Sequence, residues 1–433
     1  MGCDMVVALP PATGSGFSLF GANAHLRIGE SLAVRLQPGH TFAAGESVRT
    51  QFLQLPQVRQ TCSVLAAQAR GAWGYLHGVN EHGLAVGCSN WNSRVKCSKP
   101  GLLGPELVRL VLERAHSAAQ ALDVLTDLIV RHGQGNFPGN PEEDAADHVF
   151  LLADSHEAFA VEAADNAWAA QEIHEVRAVS DVAVIRQDWY RLAPGLAGRA
   201  IAEGWWAEDG SKLDFIGALS EAPVGKASAL RRWGRATLLL EQQNGHLDAP
   251  FIRQLLADHY DGTHFEADPL DGPSLITPLC QHAVHGAIPA TAASTVAQLP
   301  STATLPVIVW IALGPPCISV HFPLFLDGEL PIAYSGDPST LWMRTRRLAD
   351  VLGTETRRWV RVREILGRLQ ARFEQDVEEF IAEAAPTSDC GRHPQMRRLA
   401  SSLMQSHVER YEESLQILLG QTRLPAMAGT AVS

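Results

Sequence analysis

Strand-type patterns, then helical ones, then strands again and a long helical tail predict an α+β layered fold for this 433-residue chain. A doubly wound sheet would instead alternate strand and helix regularly. Two further observations agree. The first hundred residues read as short apolar strands broken by turn residues. At 46% hydrophobic and 19% charged, the chain also has the material for a large core.

The first strand opens at Cys3 and runs through Met5-Val6-Val7-Ala8-Leu9. A second, Phe17-Ser18-Leu19-Phe20, leads into Gly21-Ala22-Asn23-Ala24-His25. Trp73–Val79 and Leu84–Cys88 flank Asn80-Glu81-His82-Gly83, whose residues suit a hairpin turn. Pro105 then starts a helix carrying Leu107, Leu110 and Val111, and Ser117 with Gln120 caps a second that Gly133 ends. Gly135–Asp147 reads as a polar loop. A hairpin follows, His148–Ala153 and Ala158–Glu162 around Asp154-Ser155-His156-Glu157. Helical periodicity returns over 226–243 and 248–258. Val307–Leu313 and Ile318–Phe322 form another apolar hairpin around Gly314-Pro315-Pro316-Cys317. Leu341–Ala385 and Met396–Gly420 read as an antiparallel helical pair separated by Pro386–Pro394.

Composition excludes several classes. A net charge of −12 without a basic stripe argues against nucleic acid or an anionic membrane as the main partner. Leu305–Cys317 is the longest apolar stretch and is too short and proline-rich to span a bilayer. Seven cysteines, at 3, 62, 88, 97, 280, 317 and 390, show no paired spacing, and no secretory leader precedes them. Reduced thiols in a cytoplasm are expected. No cofactor is implied: Gly133-Gln134-Gly135 lacks the Lys-Ser/Thr of a phosphate loop, and a serine nucleophile elbow is missing. His282-Ala283-Val284-His285 and the polar cluster Asp258, His259, Asp261, His264 and Asp268 have no closed ligand spacing, so no metal is expected. That cluster reads as a loop near a substrate cleft or a capping network.

Cys3 carries the chemical interest. A thiol beside its own α-amine has a built-in base, since that amine titrates at about 7.7–8.0. The amine is free only after Met1 and Gly2 are removed, by autoproteolysis or a second protease. The other reading makes Cys3 one more small buried hydrophobe.

Several segments in order resemble the cysteine N-terminal-nucleophile hydrolases of the dipeptidase A/secernin family (peptidase C69). They are Cys3–Thr13, Gly21-Ala22-Asn23-Ala24-His25, Gly78–Gly87, Leu102-Leu103-Gly104, Leu151-Leu152-Ala153-Asp154, Asp258–Thr263, Pro289–Ser294 and Gly314-Pro315-Pro316-Cys317. The likeness runs from about residue 3 to 345. It implies the Ntn-hydrolase fold, an αββα sandwich of two antiparallel sheets between helix layers, over 3–345. Residues 346–425 would then be a helical extension for packing or dimerisation, compatible with a homo-oligomer. It also implies attack by the Cys3 thiol on a small peptide or amide through a thioester acyl-enzyme. Asn90 falls at the spacing of an oxyanion donor, with a polar turn residue as its other reading. Arg231 or Arg232 falls in the family's arginine segment. The same correspondence makes Asn23 a further catalytic position, and His25, Asp181, Asn80 and His259 substrate-side positions.

Two departures bear on chemistry. Ala22 stands where the family has a basic residue that positions the thiol. His25 stands where it has an acid that holds the α-ammonium, and an imidazole does not replace a carboxylate there. Asp181, near a second oxyanion position, would oppose an oxyanion unless protonated. The leading expectation is an amidohydrolase acting on short peptides. A secernin-like interaction protein without catalysis, and an acylase or acyltransferase on non-peptide amides, stand beside it.

Overall fold

The computed structural model describes residues 2–421 apart from 15, 28–29, 96–99, 136–146, 221–226, 267–275, 283–289, 303–304, 337–339, 353–355 and 385–393. The first half holds β1 (Gly2–Ala8), β2 (Ser18–Leu26), β3 (Leu32–Gln37), β4 (Ser47–Arg49), β5 (Gln54–Pro56), β6 (Val64–Ala69), β7 (His77–Asn80) and β8 (Ala85–Trp91). Helices α1 (Gly104–Arg114) and α2 (Ala118–His132) precede β9 (Asp147–Ala153), β10 (Ala158–Ala164), β11 (Ala167–Ile173), β12 (Val176–Val179) and β13 (Arg191–Leu192). Then come α3 (Leu196–Ala202), α4 (Phe215–Leu219), α5 (Ala227–Gln242) and α6 (Ala249–Leu256). The last sheet strands are β14 (Ala290–Leu299), β15 (Ile308–Leu313) and β16 (Phe322–Phe325). A helical tail closes the chain: α7 (Ile332–Ser335), α8 (Thr340–Leu352), α9 (Thr356–Ala384) and α10 (Pro394–Gln421).

Two antiparallel sheets face each other. One has the order β12-β1-β2-β14-β15-β16, the other β13-β11-β10-β9-β8-β7-β6-β3. Their close approach is visible at Gly87, where an added Cβ would lie 2.6 Å from Met5 Sδ of the opposite sheet. Helices α5 and α6 cover the outer face of the first sheet, and α1 and α2 that of the second. This is the αββα sandwich. Its inner faces are aliphatic and aromatic, with Met5, Phe20, Val86 and Phe150 fully buried, and that burial is the main stabilising term.

Local chemistry explains the elements nearest the site. Glu106 Oε2 accepts the Leu103 amide at the start of α1, and Ser117 Oγ accepts the Gln120 amide at the start of α2. Asp154 does two jobs. One carboxylate oxygen folds the β9–β10 turn by accepting the His156 and Glu157 amides, and the other accepts the Ala118 amide of α2.

Three sequence expectations need correction. The strand before the Asn80 turn begins at His77, not Trp73. Gly74 lies so close to the Pro105 backbone that a Cβ would sit 2.2 Å from its carbonyl carbon, so this stretch crosses the start of α1 instead of joining the sheet. Ile318 belongs to a short 3-10 turn, Pro316–Ile318, and the return strand starts at Phe322, opposite Ile311. The stretch Leu341–Ala385 is two helices, α8 and α9, with Gly353 and Thr354 in the sequence between them. α10 packs on both and on β16, and the buried Asp376 of α9 accepts hydrogen bonds from His407 and Arg410 of α10.

Candidate active site

Strand pairing places Cys3. In the β1–β2 register Gly2 faces His25, Cys3 faces Ala24 and Asp4 faces Asn23. Side chains alternate along a strand. Cys3 therefore shares with Met5 the face toward the second sheet, and Asp4 points to the α5 side. Cys3 is 2% exposed. Its backbone N–H donates to Ser89 Oγ of β8 across the sandwich at 3.0 Å, and the Ser89 hydroxyl donates to Asp181 Oδ1 at 2.7 Å.

Asp181 touches the other side of the same peptide. A Cβ on Gly2 would lie 2.3 Å from Asp181 Oδ1, so a larger residue before Cys3 would have to displace that carboxylate. Asp181 is fixed in turn by Arg232 Nη2 at 2.8 Å. Arg232 reaches from α5, and its Nε also donates to both carboxylate oxygens of Asp4, at 3.0 and 2.9 Å. Ser180 Oγ donates to Asp4, and His25 Nε2 lies 2.9 Å from Asp4 Oδ2. Thr291 of β14 holds the other ring nitrogen of His25 at 3.2 Å. One hydrogen-bonded chain thus runs from the Cys3 nitrogen through Ser89, Asp181, Arg232, Asp4 and His25 to Thr291.

The charges balance in an instructive way. Burial pushes the Cys3 thiol well above the ordinary cysteine range, and the neighbouring Cys88, Asp181 and Asp4 push it further. Burial would raise Asp4 too, but the Arg232 guanidinium and the His25 and Ser180 hydrogen bonds overcome it and hold the carboxyl at about 2. Burial likewise opposes the charge on Arg232, yet Asp4 and Asp181 raise it above its usual value. Arg232 is spent on two carboxylates. The balance around the thiol is against the thiolate, with the charge of the chain's amino terminus the one influence that opposes burial and the carboxylates, so the thiol needs a base.

Four of the sequence candidates meet here: Cys3, His25, Asp181 and, from the arginine pair, Arg232. Arg231 is exposed and its neighbour takes the role. On α5 the buried positions Ala229, Arg232, Ala236 and Leu240 recur at helical spacing, which selects 232. His25 does not reach the Cys3 nitrogen; it binds Asp4, and Asp181 is the carboxylate linked to that nitrogen through Ser89. Asp181 is thus set apart from the oxyanion duty that its charge opposed. Ala22 faces Met5 in the register, so no basic side chain stands there, and Arg232 on α5 is bonded instead to Asp4 and Asp181. Asn90 follows Ser89 on β8, half-buried.

The remaining three lie elsewhere. Asn23 is fully buried and its Nδ2 donates to the Leu256 and Leu279 carbonyls, at 2.8 and 2.9 Å, tying β2 to the end of α6. Asn80 builds its own turn: Oδ1 accepts the His82 and Leu84 amides, and Nδ2 donates to Leu112 and Ala115 beside α1. His259 lies among Cys280, His282 and Cys317. His285 and Asp268 of the sequence clusters fall outside the described residues. Sequence reasoning missed Asp4, Ser89, Ser180 and Thr291. Asp4 alone gave a signal, as a charge inside an otherwise apolar strand.

Comparison with known proteins adds a family. Residues 57–180 match the family described as acyl-coenzyme A:6-aminopenicillanic acid acyl-transferase. That stretch spans β6 to β12 and carries Ser89 and Asn90. The match is to an acyl-transfer family rather than to the dipeptidase A/secernin family that the motifs resemble. Among solved structures, a conjugated bile acid hydrolase variant from Clostridium perfringens is 12% identical, over 72% of this chain and 89% of that one, with a TM-score of 0.37. Penicillin V acylase from Agrobacterium tumefaciens is 14% identical over 75% and 86%, with a TM-score of 0.36. A Caenorhabditis elegans ortholog of N-acylethanolamine-hydrolyzing acid amidase is 10% identical over 69% and 94%, at 0.35. No helix among the described residues is long and apolar enough to cross a membrane.

Proposed function

We propose that the protein is a cysteine amide-bond enzyme in which Cys3, once freed at its nitrogen, attacks the carbonyl of a small amide. The observation that carries this reading is the hydrogen-bonded path from the Cys3 nitrogen through Ser89 to Asp181. A buried hydroxyl on a backbone nitrogen, itself bonded to a carboxylate, suits an α-ammonium better than a peptide N–H. With Gly2 removed, Asp181 and Ser89 hold the amine, and the amine takes the proton of a thiol whose surroundings keep it protonated. Attack gives a tetrahedral oxyanion, for which Asn90 is the proposed donor. Collapse expels the leaving amine, which takes the proton back, and leaves a thioester on Cys3. Water or a second amine then accepts the acyl group, giving hydrolysis or transfer.

The match over 57–180 favours N-acyl amides as substrates. Short peptides, the class suggested by the dipeptidase-like motifs, stand as the second reading. A panel of dipeptides and N-acyl amides, run on the full chain and on Cys3→Ala with intact-mass analysis of both, tests the reading. The expected result is a wild-type chain beginning at Cys3 that turns over one class, and a variant that keeps Gly2 and turns over neither. Undiminished turnover by Cys3→Ala would reject it. A wild-type chain retaining Gly2 and inert throughout favours the interaction-protein reading, which Ala22 supports.

A further inference from the structure

We propose that His259, Cys280, His282 and Cys317 bind a zinc ion in a closed, structural site. The four residues come from three separated segments: the turn after α6, the irregular stretch 276–282 ahead of β14, and the 3-10 turn between β15 and β16. Each offers one donor atom, and the four atoms all lie within 4.8 Å of one another. His282 Nε2 is 3.5 Å from Cys280 Sγ and 3.2 Å from Cys317 Sγ. A tetrahedral zinc with bonds of about 2.3 Å to sulfur and about 2.0–2.1 Å to nitrogen sets its donors about 3.3–3.8 Å apart. Both measured pairs are at or near those edges already, and the widest close by at most about 1.5 Å.

The second observation is His259. The residue is 3% exposed, and apart from the neighbouring Cys317 thiol its ring nitrogens meet no hydrogen-bond partner among the described residues. Leaving a nitrogen of a buried imidazole unpaired is costly, and native interiors rarely do so without a ligand or water. The ring lies 5.1 Å from that of His282, whose other neighbour is Trp359 of α9 at 5.3 Å, edge-on. The backbone is held without the four side chains. The Cys280 amide donates to the Asp258 carbonyl, Gln281 and Thr291 exchange two hydrogen bonds, and Asn23 clamps Leu256 and Leu279. The four donors are thus gathered by the backbone and bonded to one another, the contacts an ion would replace.

The chemistry of the set selects the metal. Two thiols with two imidazoles suit zinc and are poor ligands for magnesium or calcium. Four protein donors leave no position for a water, so the ion is structural, not catalytic. Binding displaces the thiol protons and is linked to folding. Cys317 also borders a cleft of about 270 Å³ with Arg253, His321 and Arg363, which gives the ion a way in. Sequence spacing hid the site because 20 and 34 residues separate His259 from Cys280 and His282 from Cys317. Only the fold brings them together. This inference stands apart from the reaction proposed for Cys3.

Metal analysis of the full chain, purified without chelator from zinc-supplemented cells, tests it. About one zinc per chain is expected, lost from Cys317→Ser and from His282→Asn but kept by Cys62→Ser. Cys62 is the informative control because it lies with His82 and His116 in a second, more exposed trio. Should the ligand variants fail to fold, cobalt exchange into the wild-type chain decides, through tetrahedral ligand-field bands with thiolate charge transfer. Three results would overturn the proposal: neither zinc nor cobalt taken up, zinc lost with Cys62 instead, or a Cys280–Cys317 disulfide found by non-reducing peptide mapping.

Discussion

Arg232 Nε bonds both oxygens of Asp4 while Nη2 holds Asp181, so a single guanidinium joins β1 to the carboxylate that Ser89 links to the Cys3 nitrogen. Removing the arginine would leave a fully buried carboxylate without its cation. Breaking such a pair costs about 3–5 kcal/mol. Arg232→Ala should lose that much in urea denaturation, whereas Arg231→Ala, on the exposed side of α5, should stay within about 0.5 kcal/mol. Equal losses from the two would remove the assignment of the buried role to 232.

The same pair predicts an acid limb in stability. Asp4 titrates at about 2 in the folded chain, below its unfolded value of about 3.9. A depressed carboxyl stabilises the fold above the unfolded value, and the contribution disappears as pH falls from about 4 through about 2. The gap corresponds to about 2–3 kcal/mol. Wild-type and Asp4→Asn unfolding free energies should therefore differ most near neutral pH and converge toward pH 2. A difference that stays constant over that range would show that Asp4 is not charged in the fold.

Activity should carry a basic limb. The Cys3 thiol is held high by burial, so the step depends on the neutral amine as proton acceptor. kcat/KM should rise with pH with a midpoint near the amine's ordinary value of about 7.7–8.0. Ser89→Ala takes the hydroxyl from the Cys3 nitrogen and from Asp181 while leaving the core packed. It should lower kcat by about 100-fold or more, move that midpoint, and change KM and the unfolding midpoint little. A change in KM alone would make Ser89 a binding residue instead.

How much of this was legible in the sequence follows from range. Hairpins and helices whose turn residues and apolar spacing are local, such as β9–β10 and α2, could be read directly. Gly74 against Pro105 could not, because the contact that takes residues 73–75 out of the sheet lies about thirty positions away. At the site, Cys3 was visible from its place in the first strand. Ser89 was not, since a serine inside a strand has no periodic signature and its role exists only because β8 crosses β1 on the facing sheet. The choice between Arg231 and Arg232 needed the face of α5. The substitution at His25 looked like a loss because its partner, Asp4, comes from another strand.

Asn23 separates a catalytic reading from a structural one. Its position in the motif suggested a part in the reaction, but its amide is fully buried and bonded to two carbonyls, Leu256 and Leu279. Truncation to alanine leaves both carbonyls unpaired in the interior, at about 1–3 kcal/mol each. Asn23→Ala should therefore lower the unfolding free energy by about 2–5 kcal/mol. At temperatures where it stays folded, its kcat should lie within a few-fold of wild type. The Leu279 carbonyl also anchors the stretch that carries Cys280 and His282, so the variant should bind zinc more weakly as well. A stable Asn23→Ala protein with kcat down by orders of magnitude would restore the catalytic reading, and would mean that the amide leaves its two carbonyls when substrate binds.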